Sequence, residues 1–328
     1  MTNNKTPRVV LGCATMGPQG TTFARITTVD ETREMFKTLQ SYGYTELDTA
    51  RLYSDGKQEA FTRETGVLNE GFIIATKVYP VEAGMHKPEK LRQTLETSLK
   101  ELGQQSVEIF YLHAPDRSVP YEETLEEINK LHEEGKFKIF GLSNYAAWEV
   151  AQIAEICISH KWIRPTIYQG MYNVLTRALE EELEPCCRHY GINILVYNPL
   201  AGGVLSGRYA SSSEDPKEGR FSEAHGKTMV KTYRDRYFNE AYFEAINHLT
   251  PVIEKYNLTL LETAFRWLVH HSKLHAFDGD GIIIGASSIE QLKSNLENLS
   301  KGPLPDEVVQ ALNDACKITR GVAPTYWR

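Results

Sequence analysis

Short apolar runs alternate with amphipathic stretches of helical period from one end of this chain to the other. That alternation builds a parallel sheet wrapped in helices. Eight runs can be counted: Arg8–Leu11, Thr45–Asp48, Phe72–Thr76, Val107–Leu112, Lys138–Leu142, Ile167–Gln169, Asn193–Tyr197 and Gly281–Ile284. All are short enough to be staves, and eight parallel staves close on themselves as a (β/α)8 TIM barrel. At 328 residues and 41% hydrophobic content the chain can bury such a core, and no Gly/Ser-rich linker divides it. One domain over residues 1–328 is therefore expected.

The helices between the runs mark their own ends. Asp30 precedes Met35, Phe36 and Leu39, and Gly43 follows where a left-handed residue stops a helix. Pro88 opens a helix with a Leu91, Leu95, Leu99 and Leu102 stripe, and Pro120 opens another carrying Leu125, Ile128 and Leu131. Thr259 starts a third with Leu261, Ala264, Phe265 and Leu268 inward, and Ser288 to Gln291 has capping-box spacing ahead of Leu292 and Leu296. The one long irregular stretch, Tyr209–Lys231, follows the seventh run, where a barrel carries a mobile loop over its active mouth. It is a candidate lid.

A formal net charge of −7 leaves no chain-wide basic field for nucleic acid or an anionic membrane. Residues 1–7 lack the apolar core of a signal peptide, and no stretch approaches the roughly 20 apolar residues that span a bilayer, so a cytoplasmic protein is expected. The five cysteines, Cys13, Cys157, Cys186, Cys187 and Cys316, are scattered without a C-x-x-C pair and read as reduced thiols.

Working side chains in a parallel barrel come from the carboxyl ends of the staves. The second run closes in ELDTARLY with Asp48 and Tyr53, the third in IIATK with Lys77, and the fourth in FYLH with His113. Each has an ordinary structural reading: Asp48 can cap a turn, Tyr53 can pack its ring, and His113 can be a satisfied core histidine. Lys77 is harder to account for, because a lysine ending an apolar strand carries its ammonium into the barrel, where an unpaired charge is costly. Asp48 is its expected counter-ion. Together the four form a device for reducing a carbonyl. A free tyrosine titrates near about 10, and an adjacent ammonium is expected to lower that value and make Tyr53 the general acid. His113 would orient the substrate oxygen beside the incoming hydride.

The segments ELDTARLY (46–53), ATK (75–77), LHAPD (112–116) and GLSNY (141–145) resemble those of aldo-keto reductases, and the resemblance covers the whole chain. YQGMYN (168–173), NPLAGGVLSGRY (198–209), TYRDR (232–236) and APTYWR (323–328) resemble specifically the aflatoxin-aldehyde and succinic-semialdehyde reductase branch. The resemblance implies an NADPH-dependent aldehyde reductase. It places the nicotinamide amide on Ser143, Asn144 and Gln169, with Asp48 beside it and the ring on Tyr197. It sets the glycine-spaced backbone of Asn198, Leu200, Gly202, Gly203, Leu205, Ser206, Gly207 and Arg208 against the pyrophosphate, with Arg220 adding charge. The adenosine end falls to Ser287, Ser288, Glu290, Gln291 and Asn295 at a helix amino terminus. Many relatives carry a lysine where Gly285 stands and an arginine where Gln291 stands, both directed at the 2′-phosphate of NADPH. The resembled branch shares this chain's substitution and is still linked with NADPH, so NADPH is expected first and NADH stays open. On the substrate side the resemblance points to Tyr53, His113, Tyr233, Arg236 and Arg328, whose two guanidinia suit a carboxylate-bearing aldehyde such as succinic semialdehyde. Met16, Tyr79 and Trp327 are candidates for the remaining wall.

The residues also bear on three rival readings. Tyr53 and Lys57 reproduce the Y-x-x-x-K spacing of short-chain dehydrogenases, but Leu11–Gly17 offers only Gly12 and Gly17 where such an enzyme needs a glycine-rich turn. An NADP(H)-binding redox sensor or regulatory subunit with little turnover is disfavoured by the complete tetrad. No metal site is expected, since His270 and His271 fall within a helix and neither H-x-H nor H-E-x-x-H occurs. The expected partner is a small-molecule aldehyde, with a homodimer as the assembly to test.

Overall fold

The computed structural model describes residues 6–222 and 227–328. Eight parallel strands run in chain order: β1 (Arg8–Gly12), β2 (Glu46–Asp48), β3 (Ile73–Val78), β4 (Val107–Leu112), β5 (Phe137–Ser143), β6 (Pro165–Met171), β7 (Asn193–Tyr197) and β8 (Gly281–Ile284). Each pairs with the next and β8 returns to β1, so the (β/α)8 barrel expected from the sequence is the fold. The helices are α1 (Val29–Ser41), α2 (Tyr53–Gly56), α3 (Gln58–Glu64), α4 (Pro88–Leu102), α5 (Tyr121–Glu133), α6 (Ala147–His160), α7 (Leu183–Tyr190), α8 (Lys227–Tyr237), α9 (Glu240–Lys255), α10 (Leu260–His270), α11 (Ile289–Leu299) and α12 (Asp306–Thr319). Among the described residues no helix is long and apolar enough to cross a membrane.

The expected stripes are the buried faces. Leu91, Leu95, Leu99 and Leu102 of α4 and Leu125, Ile128 and Leu131 of α5 pack into the layer between helices and sheet. Strand and helix ends differ modestly from expectation. β3 continues through Lys77 to Val78, and β5 and β6 begin earlier, at Phe137 and Pro165. Helix α1 is capped by Thr28 rather than Asp30: Thr28 Oγ1 accepts the Glu31 N–H at 3.3 Å and donates to the Glu31 carboxylate at 2.7 Å. Asp30 lies in the first turn, where the unpaired amides favour a negative charge. The long irregular stretch also ends sooner, because Lys227–Lys231 already belongs to α8. Its residues 223–226 lie outside the described residues.

Strand side chains alternate between faces, so one face of every stave fills the barrel. Val10, Ala75, Ile109, Tyr111, Ile167, Leu195 and Ile283 make this inner layer, a cluster separate from the helix–sheet core. At its amino-terminal end Arg8 closes the barrel through Glu46, with Nε and Nη2 each donating at 2.7 Å, and through the Gly279 carbonyl at 3.1 Å. Tyr111 is the largest member of the layer, and Gly141 on the neighbouring strand makes room for it. A Cβ at Gly141 would stand 2.3 Å from Tyr111 Cδ1 and 2.8 Å from Ile167 Cγ2. Overpacking a filled core costs typically ~1–3 kcal/mol. Gly141→Ala is therefore expected to lower the denaturation midpoint by about that much, and Tyr111→Leu in the same chain to recover part of it. An unchanged midpoint for Gly141→Ala would contradict this packing.

Candidate active site

The period of two that fills the barrel also loads its mouth. One step of two beyond Ala75 on β3 stands Lys77, beyond Tyr111 on β4 stands His113, beyond Gly141 on β5 stands Ser143, beyond Ile167 on β6 stands Gln169, and beyond Leu195 on β7 stands Tyr197. A polar ring therefore sits directly on an apolar plug. Asp48 ends β2 opposite Ala75, one layer from Lys77.

The ammonium of Lys77 has three protons and three acceptors. It donates to Asp48 Oδ2 at 2.8 Å, to the Thr49 carbonyl at 2.7 Å and to the Tyr53 hydroxyl at 3.3 Å. The Lys77 and Asp48 side chains are only 0% and 4% exposed, which makes this a buried ion pair. The second oxygen of Asp48 accepts from Gln169 Nε2 at 2.8 Å, from across the mouth. The Tyr53 ring lies edge-on to His113 with centroids 6.0 Å apart, and Tyr79 covers His113 from another side at 5.4 Å. Asp48, Tyr53, Lys77 and His113 are thus brought together.

Burial raises the Tyr53 phenol well above the usual range, and the Asp48 carboxylate adds to the rise. The expected lowering by Lys77 is not found, for a physical reason: the ammonium arrives with its carboxylate, so the phenol meets a neutralised pair in a dry site. Tyr53 keeps its proton at neutral pH. Burial holds the His113 imidazole well below its usual range, with Lys77 adding to the drop, so the ring is neutral. Its Nδ1 is buried with no hydrogen-bond partner among the described residues.

The turn after Tyr53 is strained. Ser54 and Asp55 both take left-handed backbone conformations, φ 49° and 56°, which side chains other than glycine rarely adopt. The loop after β1 holds it there: Ser54 Oγ donates to the Met16 carbonyl at 2.9 Å, and Thr22 gives its N–H and hydroxyl to the Asp55 carboxylate at 3.1 and 2.7 Å. Met16 itself is fully buried, and its carbonyl is what holds the turn. Nothing in its sequence context distinguishes that role.

Asn144 knits the far side together from a left-handed position of its own, φ 63°. Its Nδ2 donates to the His113 carbonyl at 2.8 Å and to Ser143 Oγ at 3.0 Å, its Oδ1 accepts from the Tyr197 hydroxyl at 2.7 Å, and its carbonyl accepts the Arg328 N–H at 3.0 Å. Tyr326, buried and hydrogen-bonded to the Ala147 N–H and to Glu182, seats that last segment. The Arg328 and Arg236 guanidinia both act on the Tyr197 phenol, although Arg328 Nη1 bonds back to the Thr325 and Trp327 carbonyls.

Beyond Tyr197 the backbone turns through Asn198 and Ala201, with positive φ, into Gly202 and Gly203, φ 68° and 112°. A side chain at Gly202 would crowd Tyr233, Phe221 and Tyr237, whereas Gly203 faces open space. Leu205 is buried, Ser206 Oγ bonds the Gly203 carbonyl at 2.6 Å, and Gly207 and Arg208 are exposed. The Arg220 guanidinium lies between the rings of Phe23 and Tyr233, 5.0 and 4.9 Å from their centroids, a placement that the sequence did not signal for Phe23. Arg25 donates to the Gly219 carbonyl at 2.7 Å, so the described part of the candidate lid is tied to the loop after β1. At the start of α11, Ser288 caps the Gln291 N–H, Gln291 Oε1 accepts from Ser287 N and Oγ, and Asn295 Nδ2 bonds the Gly285 carbonyl. Glu290 sets its carboxylate on its own N–H and on Ser288, which holds its pKa below the usual range.

This chain belongs to the aldo/keto reductase family, whose model matches residues 8–317, and it is an oxidoreductase. It is similar to aflatoxin B1 aldehyde reductase member 2 of Homo sapiens, 46% identical over 296 residues that cover 87% of this chain and 82% of the relative. Aflatoxin B1 aldehyde reductase member 4 of the same organism is 43% identical over 334 residues, 98% and 97% of the two chains. An aldo-keto reductase of Pseudocercospora fijiensis is 44% identical over 298 residues, 89% of this chain and all of the relative.

Acid sensitivity follows from the buried imidazoles. His86, whose backbone N–H donates to Asp116 Oδ2 at 3.1 Å, has its imidazole lowered to about 4 by burial, against a partial rise from Asp116. In the unfolded chain a histidine protonates near about 6.5. The stability that neutral His86 and His113 contribute is therefore complete above that pH and is lost as pH falls towards their native values. His86→Gln is expected to flatten the fall in stability between about pH 6.5 and 4. Denaturation midpoints across that range that fall as steeply as those of the unsubstituted protein would contradict the assignment.

Proposed function

We propose that this protein reduces aldehydes to alcohols with NADPH, Tyr53 giving the proton. The observation that carries this reading is a phenol kept protonated by burial, 3.3 Å from a buried ammonium and edge-on to a neutral imidazole. The names of the relatives, aldehyde reductases among them, agree with it.

The residues present fit a nicotinamide dinucleotide. The left-handed backbone at Gly202 and Gly203 leaves open space at Gly203, as a polyphosphate cradle requires, and Ser143, Asn144 and Gln169 bring amide and hydroxyl groups to one side of Tyr197. When bound, the dinucleotide supplies a hydride for the carbonyl carbon. This chain's own groups do the rest. Tyr53 Oη gives its proton to the carbonyl oxygen, and the Lys77 N–H already aimed at that phenol stabilises the charge it acquires. Asp48 fixes Lys77, and Gln169 fixes Asp48. His113, neutral and with Tyr79 against it, orients the oxygen by hydrogen bonding. Arg236 and Arg328 sit on the Tyr197 side and suit a carboxylate at the far end of the aldehyde, with Tyr233 beside them.

The adenosine end favours a second reading for the cofactor. Glu290 already places a negative charge at the amino end of α11, and neither Gly285 nor Gln291 offers a cation to a 2′-phosphate. NADH is thus the alternative, and the ratio of kcat/KM values for the two cofactors decides between them.

Tyr53→Phe should lower turnover at least about 100-fold while NADPH binding, read by quenching of protein fluorescence, is retained. Turnover near that of the unsubstituted protein would move the acid elsewhere. Arg328→Ala should raise KM for succinic semialdehyde by about 10-fold or more, with a smaller effect on 4-nitrobenzaldehyde. Equal effects on both substrates would remove the anion pocket.

A further inference from the structure

A groove of about 340 Å³ lies on the outside of the barrel, between the loop after β2 and helix α4. Leu52, Tyr79, Val81 and Met85 form its apolar walls, and Thr94 and Thr97 on α4 line its far end. Val81 and Leu52 are 63% and 43% exposed, large apolar side chains left uncovered beside a polar mouth. Solvating such side chains is unfavourable, so a contiguous uncovered group of them marks a binding surface.

Two observations say what covers it. First, Tyr79 belongs to both places: it lines the groove, and its ring lies edge-on to His113 at 5.4 Å. The groove and the carbonyl site therefore meet at Tyr79. Second, among the described residues that line the groove one side chain is charged, and it is already paired. That side chain, Arg51, donates from Nη1 to Glu59 at 2.7 Å, and Glu59 is itself buried and bonded to Thr76 at 2.5 Å. An acidic tail would meet a guanidinium already held by a buried carboxylate.

We propose that this groove seats the uncharged, apolar tail of the aldehyde, and that Tyr79 sets how large a tail can pass. The inference rests on the reading of the chain as an aldehyde reductase. It divides the substrate's recognition between two arms, an anion arm on the β7 side and an apolar arm on the β2–β3 side, so that one mouth accepts both short acid-aldehydes and longer neutral ones.

The test uses the whole chain and two aldehydes, propanal, which has no tail to seat, and nonanal, which has one. Thr97→Trp fills the groove from α4, and Val81→Asp charges an exposed position on its wall. Neither position belongs to the tetrad. Both variants should lower the ratio of kcat/KM for nonanal to that for propanal by at least tenfold, mainly through KM for nonanal. Val81→Asp, at a solvent-facing position, keeps the test decisive if Thr97→Trp fails to fold. Propanal turnover with an unchanged ratio in a folded variant would overturn the groove's role and leave the reductase reading intact. Absence of propanal turnover in the unsubstituted protein, with either NADPH or NADH, would overturn both.

Discussion

One buried ammonium organises the mouth of this barrel. Lys77 spends all three of its protons inside the protein, on Asp48, on the Thr49 carbonyl and on Tyr53. Each bond fixes a different thing: the end of β2, the path of the backbone leaving it, and the phenol. A buried ion pair is poor as a source of net stability, because desolvating two charges offsets their attraction. Its worth lies elsewhere. Removing either partner strands the other without water, so the strand ends are locked to each other by the cost of separating them.

The same pair explains the acid–base character of the site. A lone cation would pull the phenol's pKa down, but a cation already neutralised by Asp48 leaves burial as the larger influence, and the phenol stays protonated. That is a suitable resting state for a group proposed to give up a proton only when charge develops on a substrate oxygen. Asn144 plays the corresponding part on the opposite rim, joining Tyr197, the His113 carbonyl, Ser143 and the Arg328 backbone through one side chain and one carbonyl. The carboxyl-terminal segment is thereby tied to the site, although it lies far from it in sequence.

Much of this was legible in the residues. Short apolar runs identified every stave, and the strand period of two carries Lys77, His113, Ser143, Gln169 and Tyr197 to the inner face one layer above the apolar plug. A strand-end lysine demanded a counter-ion, and Asp48 supplied it. What escaped the sequence has a common cause: it depends on backbone geometry or on contacts between distant loops. The left-handed pair Ser54 and Asp55 carries no glycine to announce it. Met16 contributes only a carbonyl, which any residue has. Phe23 meets Arg220 across almost two hundred positions, and the shared surface of Tyr79 exists only once the loops after β2, β3 and β4 stand side by side. The upward shift of the Tyr53 phenol is not legible from the strand-end ammonium alone, since it depends on that ammonium's partner and on the dryness of the site.

The most direct test of this account is a double-mutant cycle on Asp48 and Lys77, read by chemical denaturation. Breaking a buried pair by removing one partner costs about 3–5 kcal/mol, whereas removing both leaves no stranded charge. Lys77→Met and Asp48→Asn should each destabilise strongly, and the double substitution should recover most of the loss, with a coupling of several kcal/mol. Single losses that simply add in the double variant would show that the two groups do not depend on each other, and the central role given to the ammonium would be wrong.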